Sequence, residues 1–342
     1  MKNRLIEAMY FPARLLPMRW MIRLSGQALF APFYHSVRGQ QAIPHIEHLY
    51  RLRDVRQFEK DLDAFLRHFQ PIDLTTLLQQ VQSGNLPSQP ALFLSFDDGL
   101  REVYELVAPI LRAKGVPATF FLNSAFVDNR ALFYRYKVSL LIDRFKKQPP
   151  SAACLDEMQT AFFKYDLLSD DPIHNLLSVH YPQRAVLPRI ARLLEVDFDS
   201  YLAASKPYMD RTQIEELIDQ GFTFGGHSVD HPLYAGLALD QQLRQTQESI
   251  DFICQHFGID YRVFAFPFHC LGVKKRFFEA VQDRQISQLT FGTSGLKLED
   301  VPYHLHRFAM EESDLPASRL VRTQYFYYLV KSLLKKNRLQ RT

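Results

Sequence analysis

Short apolar runs alternate with amphipathic helical segments along most of this sequence, and this alternation restricts the fold more than any other feature. ALFLSF at 91–96 and PATFFL at 117–122 are short and almost continuously apolar, which is typical of strands buried on both faces. The segment REVYELVAPILRAKG between them has helical spacing and ends at Gly115. A strand, a helix and a second strand in this order predict a parallel βαβ unit.

The alternation of strands and helices extends to the N-terminal side of this unit and resumes after residue 208. Residues 54–69 form an earlier amphipathic helix that Asp54 can cap. Further strands, with helices between most of them, are predicted at FTFGG (222–226), YRVFAF (261–266), ISQLTF (286–291) and HLHRFAM (304–310). At least six strand–helix units are enough for a parallel barrel, so the sequence predicts the α/β class and a (β/α) barrel.

One long segment interrupts the alternation. From about 128 to 208 the chain holds several helical stretches, a KKQPP break at 146–150 and few β-branched runs, which predicts a helical insertion. The predicted organisation is therefore an N-terminal segment with the first strand and helix over 1–88, the main domain with its insertion over 89–310, and a basic C-terminal helix over 311–342.

Composition excludes several classes of protein. Hydrophobic residues make up 47% of the chain, enough for a large core, and 41 Lys and Arg against 37 Asp and Glu leave a net charge of +4. That charge is too small to predict a nucleic-acid partner, so none is expected. The three cysteines are far apart and in no CxxC pair, so neither a disulfide framework nor a cysteine-rich zinc site is expected, and a reducing compartment is favoured.

No uncharged apolar stretch reaches the roughly 18 residues of a membrane span, and charges interrupt the first apolar residues, so a cytoplasmic location is expected. Both ends mix basic and apolar residues, and no acidic residue follows Asp314. The favoured interpretation is a terminal helix that packs on the barrel and has a solvated basic end. The alternative is peripheral attachment of the basic ends to an anionic membrane surface.

The first chemical cluster is Asp97-Asp98-Gly99, which directly follows the strand at 91–96. The carboxyl ends of parallel barrel strands form the face on which active sites are built. Two adjacent carboxylates repel each other unless a cation or a proton separates their roles. A helix cap followed by a glycine turn is an equally good explanation of these residues taken alone.

The second cluster is GGHSVDHP, at the end of the strand 222–226. His227 and His231 are four residues apart and can ligate one ion through imidazole nitrogens. Asp98 would complete a set of two histidines and one carboxylate with open positions for water and substrate. A polar loop with two satisfied histidines is the alternative, but both clusters follow predicted strands, which favours a shared site.

These motifs together resemble the polysaccharide deacetylase family, the NodB-homology or carbohydrate esterase family 4 group. The resemblance rests on four motifs: FDDG within 92–122, HSVDH within 208–237, FAFPFH at 264–269 and FYHSV at 33–37. FAFPFH is close to the family's FAYPYG variant. The resemblance implies a distorted seven-stranded (β/α) barrel. It also implies metal-dependent removal of acetyl groups from an N-acetylated sugar, in a polysaccharide or a lipid-linked saccharide.

The family's roles can be carried over to matching residues. The resemblance implies that Asp97 is the general base and that Asp98, His227 and His231 bind a divalent ion, most often zinc. The chemistry of amide hydrolysis agrees with giving the two carboxylates different roles. A bound metal activates water and polarises the acetyl carbonyl, and a carboxylate that is not bound to the metal takes the proton.

The third motif departs from the common pattern. Ala265 and Phe266 stand where many members carry an arginine that orients the base, and Arg307 is the candidate replacement, because a guanidinium can brace a carboxylate through two hydrogen bonds. The oxyanion of the tetrahedral intermediate is expected to bind the backbone N–H of Phe268, which follows Pro267.

The family's late histidine, its usual general acid, has no clear match. His306 and His304 are the candidates, although a packing role at the strand end is favoured for each. His269 has no assigned role, and His35 can be either a site residue or a core residue. Two other functions stay open: hydrolysis of a non-sugar amide, and saccharide binding without turnover.

Overall fold

The computed structural model describes residues 9–341, and parallel strands wrapped into a nearly closed barrel form its centre. The strands are β1 (Leu29–Phe30), β2 (Pro32–Tyr34), β3 (Val37–Arg38), β4 (Arg53–Asp54), β5 (Gln70–Pro71), β6 (Ala91–Leu92), β7 (Leu94–Phe96), β8 (Ala118–Leu122), β9 (Thr223–Gly226), β10 (Val263–Ala265), β11 (Leu289–Gly292), β12 (Leu298–Glu299), β13 (His304–His306), β14 (Phe308–Ala309) and β15 (Arg338–Leu339).

The barrel sheet has the order β13-β11-β10-β9-β8-β7-β2-β14, and each neighbouring pair is parallel. β13 and β14 are two parts of one segment, separated by Arg307. The first part pairs with β11 and the second with β2, so this segment joins the two edges of the sheet. The eight strands therefore occupy seven positions around the barrel, and the predicted α/β barrel fold is confirmed.

Helices surround the barrel and form the insertion. They are α1 (Met18–Ser25), α2 (Val55–Leu66), α3 (Leu74–Gln82), α4 (Ala108–Lys114), α5 (Tyr134–Lys147), α6 (Ala152–Phe163), α7 (Pro172–Leu177), α8 (Leu187–Leu193), α9 (Phe198–Ser205), α10 (Arg211–Asp219), α11 (Leu239–Phe257), α12 (Lys275–Asp283) and α13 (Ala317–Leu333). A π-helical turn at Val103–Val107 leads into α4, which ends at Gly115 in the left-handed conformation.

Successive residues of β8 pack into different cores, which explains its continuous apolar run. Phe121 belongs to a cluster with Phe93 and Phe291, whose rings are stacked 5.0 Å apart, and α3 contributes to the same cluster. Phe120 belongs to a second core, where it packs against Phe224. Both faces of the strand are thus buried, as expected for a parallel barrel.

The insertion has its own hydrophobic core, built mainly from α5 to α9. Its two ends are tied together by Asn129. The side-chain amide of Asn129 accepts a hydrogen bond of 2.9 Å from the backbone N–H of Tyr208 and donates one of 3.0 Å to the carbonyl of the same residue. The limits of the insertion, about 128 and 208, stay a prediction from the sequence.

The C-terminal helix α13 packs against α1 and α2 and buries Leu320, Tyr325 and Leu329. Arg322 holds it to the N-terminal segment by donating hydrogen bonds to the carbonyls of Ala13 and Leu16. These contacts agree with the packing interpretation and give no support to membrane attachment. Among residues 9–341, the structure has no helix with the length and hydropathy needed to span a membrane.

Candidate active site

The two polar clusters predicted from the sequence meet at the carboxyl ends of the barrel strands. Asp97 and Asp98 directly follow β7, and His227 directly follows β9. His231 lies in the next loop, and Arg307 interrupts the strand formed by β13 and β14. All five side chains are buried, because they converge beneath the insertion and the loops of this face.

Three of these residues form a potential metal site. Asp98 Oδ1 lies 3.3 Å from His231 Nε2 and 3.6 Å from His227 Nε2, and one ligand atom of each residue lies within 4.8 Å of the others. His227 Nδ1 is 2.8 Å from the carbonyl oxygen of Ala265. Since a carbonyl only accepts, Nδ1 carries the proton and Nε2 presents its lone pair toward Asp98.

The donor atoms of this site fit a divalent ion. Within residues 9–341, Asp98 Oδ1 and His231 Nε2 are buried and form no hydrogen bond. Leaving buried polar atoms without partners costs about 1–3 kcal/mol each, so a bound cation would stabilise them. Two imidazoles and a carboxylate are ligands that suit zinc and similar ions.

The insertion contributes directly to this site. The hydroxyl of Tyr136, on α5, donates a hydrogen bond of 2.7 Å to Asp98 Oδ2. Burial raises the pKa of Tyr136 well above its usual value, and the charge of Asp98 raises it further, so the hydroxyl keeps its proton. Sequence reasoning missed Tyr136, because nothing in the sequence of α5 distinguishes it from its aromatic neighbours.

Arg307 binds the carboxylate of Asp97. Its Nη1 and Nη2 donate to Asp97 Oδ1 and Oδ2 at 2.6 and 2.8 Å, and Nη1 also donates to Ser95 Oγ at 3.1 Å. Burial alone would raise the pKa of Asp97, but the Arg307 guanidinium outweighs it and holds this pKa below its usual value. Asp97 is therefore ionised and fixed in orientation, and the contact expected of Arg307 is present.

Several site residues have left-handed backbone conformations. The φ angles are 69° at Asp98, 71° at Ser228, 63° at His231 and 54° at Phe268. Such conformations cost of order 1–3 kcal/mol at residues other than glycine, and they persist where surrounding contacts over-determine the backbone. Their concentration here indicates that the site geometry is imposed by the rest of the fold.

The third motif forms one wall of the site. Phe268 follows Pro267, and its ring packs edge-on against His231 with 4.5 Å between the centroids. Thr293 Oγ1 donates a hydrogen bond of 2.9 Å to the Phe268 carbonyl. The backbone N–H of Phe268 has no acceptor among residues 9–341, which leaves it available to a substrate oxygen.

A cavity of about 580 Å³ opens onto these groups. Its lining includes Asp97, His227, His231, Phe268, His269 and His35. Its volume is in the range of small-molecule sites. His269 and His35, to which the sequence assigned no firm role, thus both lie at the candidate site.

His35, which is partly buried, pairs with the buried Glu311, which also lines the cavity. His35 Nδ1 is 2.5 Å from Glu311 Oε2, and the ring stacks on Tyr50 with 3.9 Å between centroids. Burial would lower the pKa of His35, but the Glu311 carboxylate raises it to about 9, so the imidazole is protonated at neutral pH. Sequence reasoning did not identify Glu311, although an acidic pair directly after the last strand was a signal.

His306 lies elsewhere. Successive strand residues point to opposite faces, so His306 is turned away from the site that Arg307 enters. Its Nε2 is 3.2 Å from Glu299 Oε2, and it does not line the cavity. The expectation that His306 acts in catalysis finds no support in this placement.

Known proteins resemble this chain in sequence and in fold. The polysaccharide deacetylase family model matches residues 84–162 and 180–285, and the gap between these ranges lies inside the insertion. No curated protein matches the chain in sequence.

Three solved structures share the barrel. The Streptococcus pyogenes deacetylase PplD in complex with acetate has a TM-score of 0.55 and 13% identity, over 86% of this chain and 97% of that one. IcaB from Ammonifex degensii has a TM-score of 0.52 and 16% identity, over 87% and 98%. A de-N-acetylase from Aggregatibacter actinomycetemcomitans has a TM-score of 0.52 and 14% identity, over 86% and 99%.

Proposed function

The chain belongs to the polysaccharide deacetylase family, a family of carbon–nitrogen hydrolases, and from this membership we propose that it deacetylates an N-acetylated sugar by metal-dependent hydrolysis. The sugar is part of a polysaccharide or of a lipid-linked saccharide, and the products are acetate and a free amino sugar. The observation that carries the proposal is the position of the braced Asp97 carboxylate, 3.8 Å from the Nε2 atom of the metal-ligand candidate His227.

Asp98, His227 and His231 would hold the ion, which when bound polarises the acetyl carbonyl and lowers the pKa of water. Burial would raise the pKa of Asp98, but the neighbouring histidines outweigh it and lower this pKa, so the carboxylate is ionised and ready to ligate. Burial lowers the pKa of His227 to about 4, which keeps this imidazole neutral at physiological pH.

Asp97 acts as the general base. Its carboxylate is ionised because of Arg307, and it takes a proton from the attacking water. The two hydrogen bonds from Arg307 fix the plane of the carboxylate, so little reorientation is needed during the proton transfer. The free backbone N–H of Phe268 donates to the developing oxyanion.

His35 supplies the proton that the leaving amine requires. It lines the same cavity as Asp97, and Glu311 keeps it protonated at neutral pH. It takes the role that the family pattern suggested for a late histidine, which here faces away from the site. After the C–N bond breaks, the proton from His35 lies on the amino sugar. The proton taken by Asp97 and the acidic proton of acetic acid pass to solvent, and His35 regains a proton from solvent.

The insertion shapes substrate choice in this proposal. A second cavity of about 470 Å³ shares Phe268 and His269 with the catalytic cavity and includes Tyr134 and Tyr181 of the insertion. Aromatic side chains next to a catalytic cavity can stack on sugar rings or on an apolar group linked to the sugar. Exchange of the insertion for that of a relative should therefore change the substrate preference.

Acetate release from N-acetylated oligosaccharides tests the function. The metal-loaded wild type should release acetate, and Asp97→Asn should lower kcat by roughly 10²–10⁴-fold, the usual contribution of a general base. Asp63→Asn is the matched control, because Asp63 pairs with Lys114 away from the site. Release from non-sugar amides alone would favour the second hydrolase function. Saccharide binding without release would favour the binding function.

A further inference from the structure

A second group of ligand-type side chains lies on the face of β13 that is turned away from the catalytic cavity. Cys270, His304 and His306 are buried, and one ligand atom of each lies within 4.8 Å of the others. Cys270 Sγ is 3.4 Å from His304 Nε2. Two ligands on one tetrahedral zinc ion, with bonds of about 2.3 Å to sulfur and 2.0 Å to nitrogen, are separated by roughly 3.5 Å.

Gly292 leaves space at the point where these atoms converge. A Cβ on this residue would lie 2.5 Å from Cys270 Sγ, 2.7 Å from His306 Nδ1 and 2.8 Å from His304 Nε2. Gly292 has no positive φ, so its backbone conformation does not require glycine. The missing side chain instead keeps open a small space that three potential ligand atoms surround.

Hydrogen bonds indicate which nitrogen of each histidine carries a lone pair. Thr290 Oγ1 donates to the Tyr303 carbonyl, so it accepts from His304 Nδ1 at 2.8 Å and leaves a lone pair on His304 Nε2. The backbone N–H of Ser294 donates to His306 Nδ1 at 3.4 Å, which places the lone pair of His306 on that atom. An ion in this buried space would bind His306 Nδ1 in place of the long hydrogen bond from Ser294, and it would face His304 Nε2 and Cys270 Sγ directly.

A carboxylate and a guanidinium lie next to the three residues. His306 Nε2 is 3.2 Å from Glu299 Oε2 without hydrogen-bond geometry, and a small rotation of the ring would give the contact by which a carboxylate commonly orients a metal-bound histidine. Arg341 Nη2 is 2.7 Å from the same carboxylate oxygen and 3.2 Å from Cys270 Sγ. Glu299 thus neutralises Arg341, and the cysteine thiolate remains to offset the charge of an ion.

We propose that Cys270, His304 and His306 bind a zinc ion, at a site separate from the one formed by Asp98, His227 and His231. A thiolate and two imidazoles select a borderline-soft ion such as zinc over magnesium or calcium, which prefer oxygen ligands. Water or a small shift of a neighbouring group completes the coordination. The proposal does not depend on the deacetylase activity.

The site has a structural role. Cys270 follows the third motif, two residues after Phe268, and His304 and His306 belong to the strand that closes the barrel. Arg341 donates hydrogen bonds to the carbonyls of Cys270 and Val273 and so fastens the C-terminal segment over the cluster. An ion here would join the loop that carries Phe268 to the closing strand.

Cobalt binding to the wild-type protein tests the proposal without any variant. Co²⁺ bound by a thiolate gives an intense charge-transfer band in the near ultraviolet, which the catalytic site, with only nitrogen and oxygen ligands, cannot produce. We expect this band at saturation, together with about two bound ions per chain by elemental analysis. Saturation at one ion per chain with no thiolate band would overturn the proposal, and a thiolate–imidazolium pair would then explain the cluster.

Variants separate the two sites. Cys270→Ser should remove the thiolate band and one ion, whereas His231→Ala should remove one ion and keep the band. Cys254→Ser is the matched control for cysteine loss, because Cys254 lies in α11 and contacts the Tyr261 carbonyl outside the cluster. Persistence of the band in Cys270→Ser, with the fold intact by circular dichroism, would also contradict the assignment.

Discussion

Arg307 and Asp97 form a buried bidentate ion pair, with nitrogen–oxygen distances of 2.6 and 2.8 Å. The rings of Phe33 and Phe121 lie 4.4 and 5.0 Å from the Arg307 guanidinium carbon. The pair links the strand that closes the barrel to the strand that carries the FDDG motif. Closure of the barrel and orientation of the proposed base, Asp97, therefore depend on the same contact.

Arg307→Lys should move the acidic limb of the kcat/KM profile to higher pH. The guanidinium lowers the pKa of Asp97 against the effect of burial, and a lysine would hold the carboxylate through fewer hydrogen bonds. The base would then be protonated over a wider acidic range. A pH–rate series on both proteins measures this shift, and an unchanged acidic limb with a lower rate throughout would argue against orientation and charge support by Arg307.

Removal of the same arginine should destabilise the protein. Arg307→Met leaves a buried carboxylate without its partner, so we expect the free energy of unfolding to fall by about 3–5 kcal/mol. The double variant Asp97→Asn/Arg307→Met should recover part of this loss, because no buried charge is left uncompensated. Urea denaturation of the wild type, Asp97→Asn, Arg307→Met and the double variant gives the coupling energy between the two residues. Additive changes in the free energy of unfolding would show that the pair is not coupled.

Glu311→Gln should shift the alkaline limb of activity to lower pH. Glu311 raises the pKa of His35 to about 9, so loss of its charge lets this pKa fall and the proton donor is lost earlier as pH rises. His35→Gln should abolish this limb and lower kcat. An alkaline limb near pH 9 that survives in both variants would assign the proton donor to another group.

The same pair makes stability depend on pH. The pKa of His35 is higher in the folded state than its ordinary value of 6.5, so its stabilising contribution is fully present below about pH 6.5 and is lost as the pH rises through about 9. Thermal unfolding between pH 6 and pH 10 should show a decrease in Tm over this window. The decrease should be smaller in His35→Gln, which has no imidazole to titrate.

Tyr136→Phe should weaken metal binding at Asp98. The Tyr136 hydroxyl donates to Asp98 Oδ2, and loss of such an outer contact typically reduces metal affinity 10–100-fold. Tyr134→Phe is the matched control, because Tyr134 lies on the same helix and its hydroxyl has no hydrogen-bond partner within residues 9–341. Zinc titrations against a competing chelator measure both affinities, and equal values for the two variants would exclude this role of Tyr136.

Asn129→Ala should loosen the base of the insertion. Both hydrogen bonds from its amide to the Tyr208 backbone would be lost, and we expect the free energy of unfolding to fall by about 1–3 kcal/mol. Asn129→Asp keeps the acceptor and should lose less. Denaturation curves compare the two variants, and an Asn129→Ala protein as stable as wild type would show that α5 to α9 hold their position without this tie.

The pairing of Asp97 and Asp98 with His227 and His231 was predictable from the sequence. Each pair follows an apolar strand, and parallel barrel strands end on one face, so local pattern and topology together bring the side chains close. Arg307 was predictable for the same reason, since it lies near the end of the last predicted strand. The limits of the insertion stay a prediction, based on where the alternation of strands and helices stops and resumes.

Contacts between residues far apart in the chain could be identified only from the tertiary structure. His306 was a candidate by sequence position alone, but the pleat turns it to the opposite face from Arg307. Glu311 reaches His35 across 276 positions of the chain, and Cys270 meets His304 across 34, without a local motif to mark either contact.

The barrel and the candidate cluster of Asp97, Asp98, His227 and His231 follow from the order of residues along the chain, because hydrophobic periodicity and strand-end polarity are local properties. The face that each side chain enters, and the distant groups that set its charge, depend on tertiary contacts. Those outcomes depend on the register of β13 against β11 and on how the insertion packs over the barrel, and no single segment encodes either of them.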